Sequence, residues 1–397
     1  MTNTAAREVV GFQTADPHRP DLVVRARNAA DVVDAVRRAG TGPLVVHATG
    51  HGHTRGVRGG VVVDTGAMRG VTVAPAARTA RVEAGVRSAD LVAAAAPHGL
   101  APVSGSFPGV GVVGYTLGGG LGLLGREFGW ACDHLRAAEV VTPDGELRHV
   151  DPGDELFAAL RGGRDVPGVV AAMTVGLVPV SSVVGGGLFL DAAAAPAVLP
   201  VVRRLGLDAP ETLGLSFGVV PVPDLDAVPA PIRGRTVLHV RLVDTDGSSA
   251  RAAEAALRGA APVLLGGLRE MPWTESGSIV GEPEVPHAYE GTNVLVRELS
   301  DEALAAVVAR AGDAVLDVRR LGGALARPAS GPDAVSFRDA GWIVRVITGP
   351  GADHARVLAP LHDEALGTMA AFVYGRAHAL GPVHEPAVAA LLDRVRP

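Results

Sequence analysis

Short apolar runs, cut by charged residues and by glycine, set the pattern of this chain. Over the first 180 residues the pattern alternates between strand and helix. Residues 21–26 (DLVVRA) predict a strand, and residues 29–38 place Val32, Val33 and Val36 on one helical face. A second strand, PLVVHA, ends at Ala48, and residues 59–64 (GGVVVD) predict a third. Residues 71–73 and 79–84 predict two strands around a turn, and residues 89–98 a helix stopped by Gly99. The run AAEVVTPDGELRHV predicts a hairpin turning at Pro143, Asp144 and Gly145. A short helix over 154–160 follows, and then a strand run, VVAAMTVGLVPV, that ends near Val180.

Beyond Ser182 the strands lengthen. VGGGLFLD, LGLSFGVVPVP, residues 235–244 and residues 341–348 all predict strands. Helices are predicted from the Ala-rich stretch that begins at Ala192, over 249–258, and over 301–310 with Ser300 as its cap. This spacing predicts an antiparallel sheet covered by helices on one face. The tail from 354 to 397 is expected to be helical around the apolar stretch MAAFVYG.

With 397 residues the chain is expected to form two domains, read as 1–180 and 181–349, with 350–397 returning to the first. The composition is 48% hydrophobic and 20% charged, which is that of a globular protein. Arginine supplies all the positive charge, and a net charge of −6 argues against a nucleic-acid partner. The single cysteine, Cys132, excludes an intrachain disulfide. The first ten residues carry charges and lack the apolar core of a signal peptide, and no apolar run reaches the ~18 residues of a membrane span. The expectation is a cytoplasmic protein with no membrane partner; the oligomeric state is left open.

Candidate chemistry gathers in two glycine-rich places. Residues 102–126 contain nine glycines, at 105, 109, 111, 114, 118, 119, 120, 122 and 125. Backbone so bare of Cβ atoms suits close approach to a phosphate-bearing cofactor. Gly109, Gly111 and Gly114 formally match a dinucleotide fingerprint, with Asp133 near the acidic position. However, no clean strand precedes them, and the later glycines would break the helix that such a fingerprint opens. A ligand-free packing loop is the plainer alternative. The second place is HATGHGHTRG, residues 47–56. His47, His51 and His53 could be read as a metal cluster, but no carboxylate or cysteine in the loop completes a shell, and no metal is expected.

Together these stretches resemble the berberine bridge enzyme-like flavoproteins of the vanillyl-alcohol oxidase/p-cresol methylhydroxylase superfamily. The loop Ala48-Thr49-Gly50-His51-Gly52-His53 resembles that family's G-G-H loop. The run from Ser106 to Gly122, continuing through Arg126 and Gly129 to Asp133, resembles its glycine signature. The hairpin from Glu139 to Gly145, the segment 154–163 followed by Gly168, Val169 and Val170, and stretches near Leu321 and Ser336 extend the likeness over most of the chain.

The resemblance implies an α+β fold: a two-part FAD-binding domain of the p-cresol methylhydroxylase type plus a substrate domain. It implies FAD against the backbone of residues 48–53. The other side of the cofactor would be lined by Gly105, Ser106, Gly109, Gly111, Val112, Gly114, Gly118, Gly119 and Gly122, with Val169 and Val170 near the adenine. His51 matches the histidine bonded to the flavin 8α-methyl; noncovalent FAD is the alternative. Where some relatives carry a cysteine for a second tether, this chain has Phe107. The loop GGRDVPG at 162–168 departs from the family's GGGGNFG, and MAAFVYG replaces a Tyr/Asn-rich strand. The implied activity is an oxidase passing hydride from an alcohol, phenol, sugar or secondary metabolite to flavin N5, with O2 as acceptor. Tyr374 and Tyr289 are the candidate bases. A dehydrogenase, a non-redox cyclase and an inactive FAD-binding protein are the rival readings.

Overall fold

The Val-rich runs of the first 65 residues build a small parallel unit. The computed structural model describes residues 4–5, 8–164, 166–327 and 330–396; Asp165 of the departing loop and part of the amino-terminal segment lie outside these. Leu22–Arg25, Val61–Asp64 and Leu44–His47 lie side by side in parallel, and Thr4–Ala5 pairs antiparallel at the edge. The helix Ala29–Ala39 covers them with Val32, Ala35 and Val36, and the Asn28 side chain accepts from Asp31 N at its start. The middle strand, Val61–Asp64, is nearly all apolar because both of its faces are covered.

A five-stranded antiparallel sheet follows in the order Val71–Ala74, Thr79–Glu83, Val169–Gly176, Leu135–Val141, Leu147–Val150. The hairpin turns at Gly145, φ +77. Val169–Gly176 is its central strand. Val169 and Ala171 enter one core, while Val170, Met173 and Val175 enter another, so the run shows no alternation. The strand stops at Gly176, short of the predicted Val180; beyond it Val178 makes only an isolated bridge to Ala101.

The third sheet has eight antiparallel strands. Its order is Val263–Pro272, Ser182–Asp191, Thr236–Asp244, Leu213–Pro221, Val315–Arg320, Trp342–Thr348, Glu290–Val296, Ala365–Gly367. One face carries Leu238, Val240, Leu242, Val318 and Val344 under the helices Ala195–Asp208, Ser248–Ala260 and Asp301–Arg310. Truncating a fully buried leucine such as Leu242 to Ala is expected to cost ~2–5 kcal/mol. The strands at 263–272, 290–296 and 315–320 are not among those expected from the sequence. Glycine at 266, 267 and 291 and charge at Arg319 and Arg320 interrupt their apolar pattern.

The opposite face of this sheet turns toward the N-terminal half. Leu295, Leu321 and Ile343 pack on Leu121, Trp130 and Cys132, and Val243 packs with Val103 and Leu124. Buried Arg126 pins the two halves together through the carbonyls of Leu213 (3.0 Å), Ala209 (2.9 Å) and Leu321. The tail is helical at its two ends only. His354–Leu358 opens it, and Pro386–Val395 closes it by setting Val388, Leu391 and Leu392 on Ala158 and Ala159. Between them, Ala365–Gly367 joins the sheet and Tyr374 bridges Gly291, so MAAFVYG borders the eight-stranded sheet. Among the described residues no helix is long and apolar enough to cross a membrane.

Candidate functional site

The histidine loop begins where the strand Leu44–His47 ends. Gly50 turns it at φ +71, and a Cβ there would meet Gly11 Cα at 2.5 Å, so two glycine backbones cross in contact. Phe12 N donates to Thr49 O at 2.9 Å and Gln13 N to Gly50 O at 3.2 Å. This pairing lays the Phe12 ring on His51, with centroids 4.1 Å apart and planes 14° from parallel. His51 Nδ1 lies 2.9 Å from Thr49 Oγ1, and its buried Nε2 has no partner among the described residues. Burial, helped by the charge of Arg87, lowers His51 to about 4. The imidazole is therefore neutral at pH 7 and keeps a nucleophilic lone pair. Phe107 lies 5.0 Å from the same ring, against Phe12 and His51.

His47 and His53 face a different neighbour. Both pack edge-on to His18, at 5.7 and 4.3 Å, and His53 Nε2 lies 2.6 Å from Asp16 O. Burial, then His53 and His47, lowers His18 to about 4. Among the described residues no group of three His, Cys, Asp or Glu could hold a metal.

The glycine stretch faces the loop through Gly111. A Cβ there would come within 3.7 Å of Thr49 and 4.0 Å of Ala48. Val112 opens a short helix, Val112–Leu117, which ends at Gly118; Gly119 and Gly120 follow at φ +94 and +76. The fingerprint-like segment thus does open a helix, but one of six residues. Asp133 serves otherwise, pairing with Arg338 at 2.7 Å and capping Trp130 N. Gly52 and Gly114 have open space where a side chain would stand. Gly105 and Gly122 lie against the ring and hydroxyl of Tyr115, and Gly109 lies against Phe107. Gly118 and Gly119 line a shallow cleft with Gly162, Arg164, Ala370 and Ala371. Arg164, at φ +55, donates to Gly52 O at 3.0 Å and to Ala370 O, strapping loop to tail. Val169 and Val170, expected near the adenine, are both buried, Val169 in the core under the parallel strands and Val170 in the core that Val112 also joins.

The sheet completes the site from the other side. Tyr289 OH donates to His51 O at 2.7 Å. Its ring meets Tyr374 edge-on at 5.5 Å, and Arg345 Nη2 reaches the Tyr374 hydroxyl at 3.3 Å. Burial raises both phenols, and Arg345 and Arg319 oppose the shift at Tyr374. Arg345 also lies over the Phe372 ring at 3.9 Å. Behind these stands Asp317, bound by Arg241 at 2.6 Å, Arg345 at 2.7 Å and Arg319 at 2.8 Å; Asp317, Arg241 and Arg345 are buried and Arg319 is partly buried. Burial alone would raise the Asp317 carboxyl, but the three guanidiniums outweigh it and hold it well below the usual carboxylate range. Ser106 Oγ donates to Glu282, linking the glycine stretch to the sheet side.

The sequence singled out none of Gly11, Phe12, Arg164, Arg241, Glu282, Asp317, Arg319 or Arg345. A signal existed for some of them. In RTVLHVRLVD and VLDVRR, histidine, aspartate and arginine alternate with apolar residues, which marks a strand with one polar face. Nothing in that pattern says whether the polar face meets water or another part of the chain.

Comparison with known proteins bears on these groups. Residues 20–151 match the FAD_binding_4 family, an FAD binding domain. The chain is similar to (R)-6-hydroxynicotine oxidase of Paenarthrobacter nicotinovorans, 38% identical over 165 residues, which is 40% of this chain and 36% of that protein. The match thus spans about a third of the relative's length. Among solved structures, BBE-like 1 of Physcomitrella patens superposes with a TM-score of 0.80 at 19% identity, covering 98% of this chain and 92% of the other. A glucooligosaccharide oxidase of Acremonium strictum, whose structure is described as revealing a novel flavinylation, superposes with a TM-score of 0.77 at 17% identity, covering 93% and 88%.

Proposed function

From a chain that carries an FAD binding domain and has the fold of the berberine bridge enzyme-like flavoproteins, we infer an FAD-linked oxidoreductase acting on a small molecule. The observation that carries this reading is His51, a neutral, partly buried imidazole whose buried Nε2 has no partner among the described residues. The residues present fit FAD. The loop 48–53 and the stretch 105–122 face each other at Gly111 and Thr49, and Gly52 and Gly114 leave backbone open. We assign residues 48–53 to one side of the cofactor and 105–122 to the other, with His51 as its single covalent tether. Phe107 excludes a cysteinyl bond. When bound, flavin supplies a hydride acceptor for a substrate C–H and can be reoxidised by O2.

The chain's own groups then have distinct tasks. Tyr289 fixes the loop by holding the His51 carbonyl. Tyr374 is the candidate to accept the proton of an alcohol or phenol; burial raises its phenol on balance, and Arg345 and Arg319 oppose that shift without reversing it, so it acts as a base only in its phenolate form. We assign 1–180 with the returning tail to the cofactor and 181–349 to the substrate.

Purified protein is expected to be yellow and to keep its colour through acid precipitation, and His51→Ala is expected to release the colour to the supernatant. Colourless protein with no flavin in an acid extract would sink the assignment. Peroxide formed with turnover identifies an oxidase; reduction of the flavin without peroxide identifies a dehydrogenase.

A further inference from the structure

The buried cluster on the inner face of the eight-stranded sheet is out of charge balance. Three guanidiniums, Arg241, Arg319 and Arg345, share the single carboxylate of Asp317. Glu282, an exposed group held by Ser106, is the other acid whose charge acts on Arg241 and Arg319. Tyr289 and Tyr374 are raised and so bring no negative charge at pH 7. Three guanidiniums against two carboxylates leave one positive charge over at the cluster. An unpaired buried charge is destabilising, so a site that keeps one is built for something absent from the chain.

Donors are also left over. Arg241 Nε is buried without a partner, and so is Arg345 Nε. Arg319 uses only Nε on Asp317, and among the described residues neither of its Nη atoms has an acceptor. The register brings these donors together. Ser216 is the cross-strand partner of both Arg241 and Arg319, so the two arginines flank one small side chain on the same face. Gly218, next on that face, lies opposite Asp317 and His239, and a Cβ there would stand 3.6 Å from Arg241 Nη2. Two guanidinium forks over a serine and a glycine form a seat for a planar anion. A monoanion balances the surplus, whereas a phosphate dianion would overshoot it. The seat lies on the cofactor side, since Arg319 acts on Tyr115 of the glycine stretch and Arg345 touches Tyr374.

We propose that the substrate is a carboxylate, with its carboxyl group bound between Arg241 and Arg319 above Ser216. This rests on the oxidoreductase reading for its role as substrate, but not for its binding.

The test is calorimetric titration of the protein as purified with acetate and benzoate, each set against its amide, acetamide and benzamide. At least one acid is expected to bind, and at least about tenfold tighter than its amide. Arg319→Met is expected to weaken that acid by about tenfold or more. Ser216→Glu places a carboxylate in the seat without removing an arginine and is expected to abolish binding while the thermal unfolding temperature is kept. Equal binding of acid and amide, binding of none of the four, or unchanged acid affinity in both variants overturns the proposal. Carboxylate binding to colourless, flavin-free protein would uphold the seat while removing the oxidoreductase reading. Yellow protein indifferent to carboxylates would do the reverse.

Discussion

The histidine loop and the inner face of the eight-stranded sheet meet at the Tyr289 bond to the His51 carbonyl, yet they are made of different materials. The loop side is backbone and glycine: Gly11 crosses Gly50, Gly111 faces Thr49, and Gly52 and Gly114 are bare. The sheet side is charged side chain, with Asp317 among Arg241, Arg319 and Arg345. Backbone can shape itself closely to one fixed ligand, but a change of side chain hardly retunes it. A row of side chains on strands can be recharged position by position with the backbone unchanged. The contrast suits a constant cofactor against one wall and a chain-specific substrate against the other.

Four measurements press on that contrast. Acid is expected to have the largest effect, because it strikes both walls. Burial depresses His18 and His51 to about 4, and His239, on the sheet, to about 3. A histidine depressed in the folded state contributes stability that is whole above the unfolded value of ~6.5 and is lost as pH falls through the folded value. Each tenfold weakening of a group's proton affinity on folding is worth about 1.4 kcal/mol, so flavin-free protein should lose several kcal/mol between pH 6.5 and 4. A denaturation midpoint that stays flat over that range would count against neutral, buried histidines. Next comes Asp317→Asn, which strands the buried guanidiniums of Arg241 and Arg345 and the partly buried one of Arg319, and is expected to cost ~3–5 kcal/mol in chemical denaturation. A loss below ~1 kcal/mol would mean that water reaches the cluster.

Gly50→Ala tests the other wall. It sets a side chain at φ +71 against Gly11 Cα and is expected to cost about 3 kcal/mol. Bound flavin should fall with it, while carboxylate binding in the folded fraction should hold. If both are lost together, the walls are one unit. The smallest effect is expected from Tyr289→Phe, which removes one hydrogen bond at 2.7 Å and should cost about 1 kcal/mol. Thermal unfolding and the rate of flavin attachment would show whether that bond also sets the loop.

What could be read in advance follows the same division. Gly50 and Gly118 were legible because a positive φ at the first and the close approach of Ala371 at the second demand glycine, and glycine is visible as a letter. The strand Val169–Gly176 was legible as an apolar run, though its end was not, since Leu177 and Val178 are apolar and buried outside it. The cluster around Asp317 was not legible. Alternation is present on those strands, but only packing against Leu121, Leu124 and Trp130 turns their polar face inward. Phe12 was hidden for another reason. Its segment pairs with the loop 49–50 through backbone bonds that any residue could make. Arg164 departs from the family pattern and instead ties Gly52 to Ala370, a role set by tertiary neighbours.

Cys132 sits where these walls close on one another, fully buried beside Trp130, Leu295 and Ile343. Burial raises its thiol well above the ordinary value, so in the closed molecule it neither ionises nor meets reagent. It is also the chain's single thiol. Its modification by a thiol reagent therefore acts as a clock on the seam, each labelling event recording a moment when cofactor wall and sheet have come apart. A bound ligand that bridges the two would slow that clock without touching the cysteine.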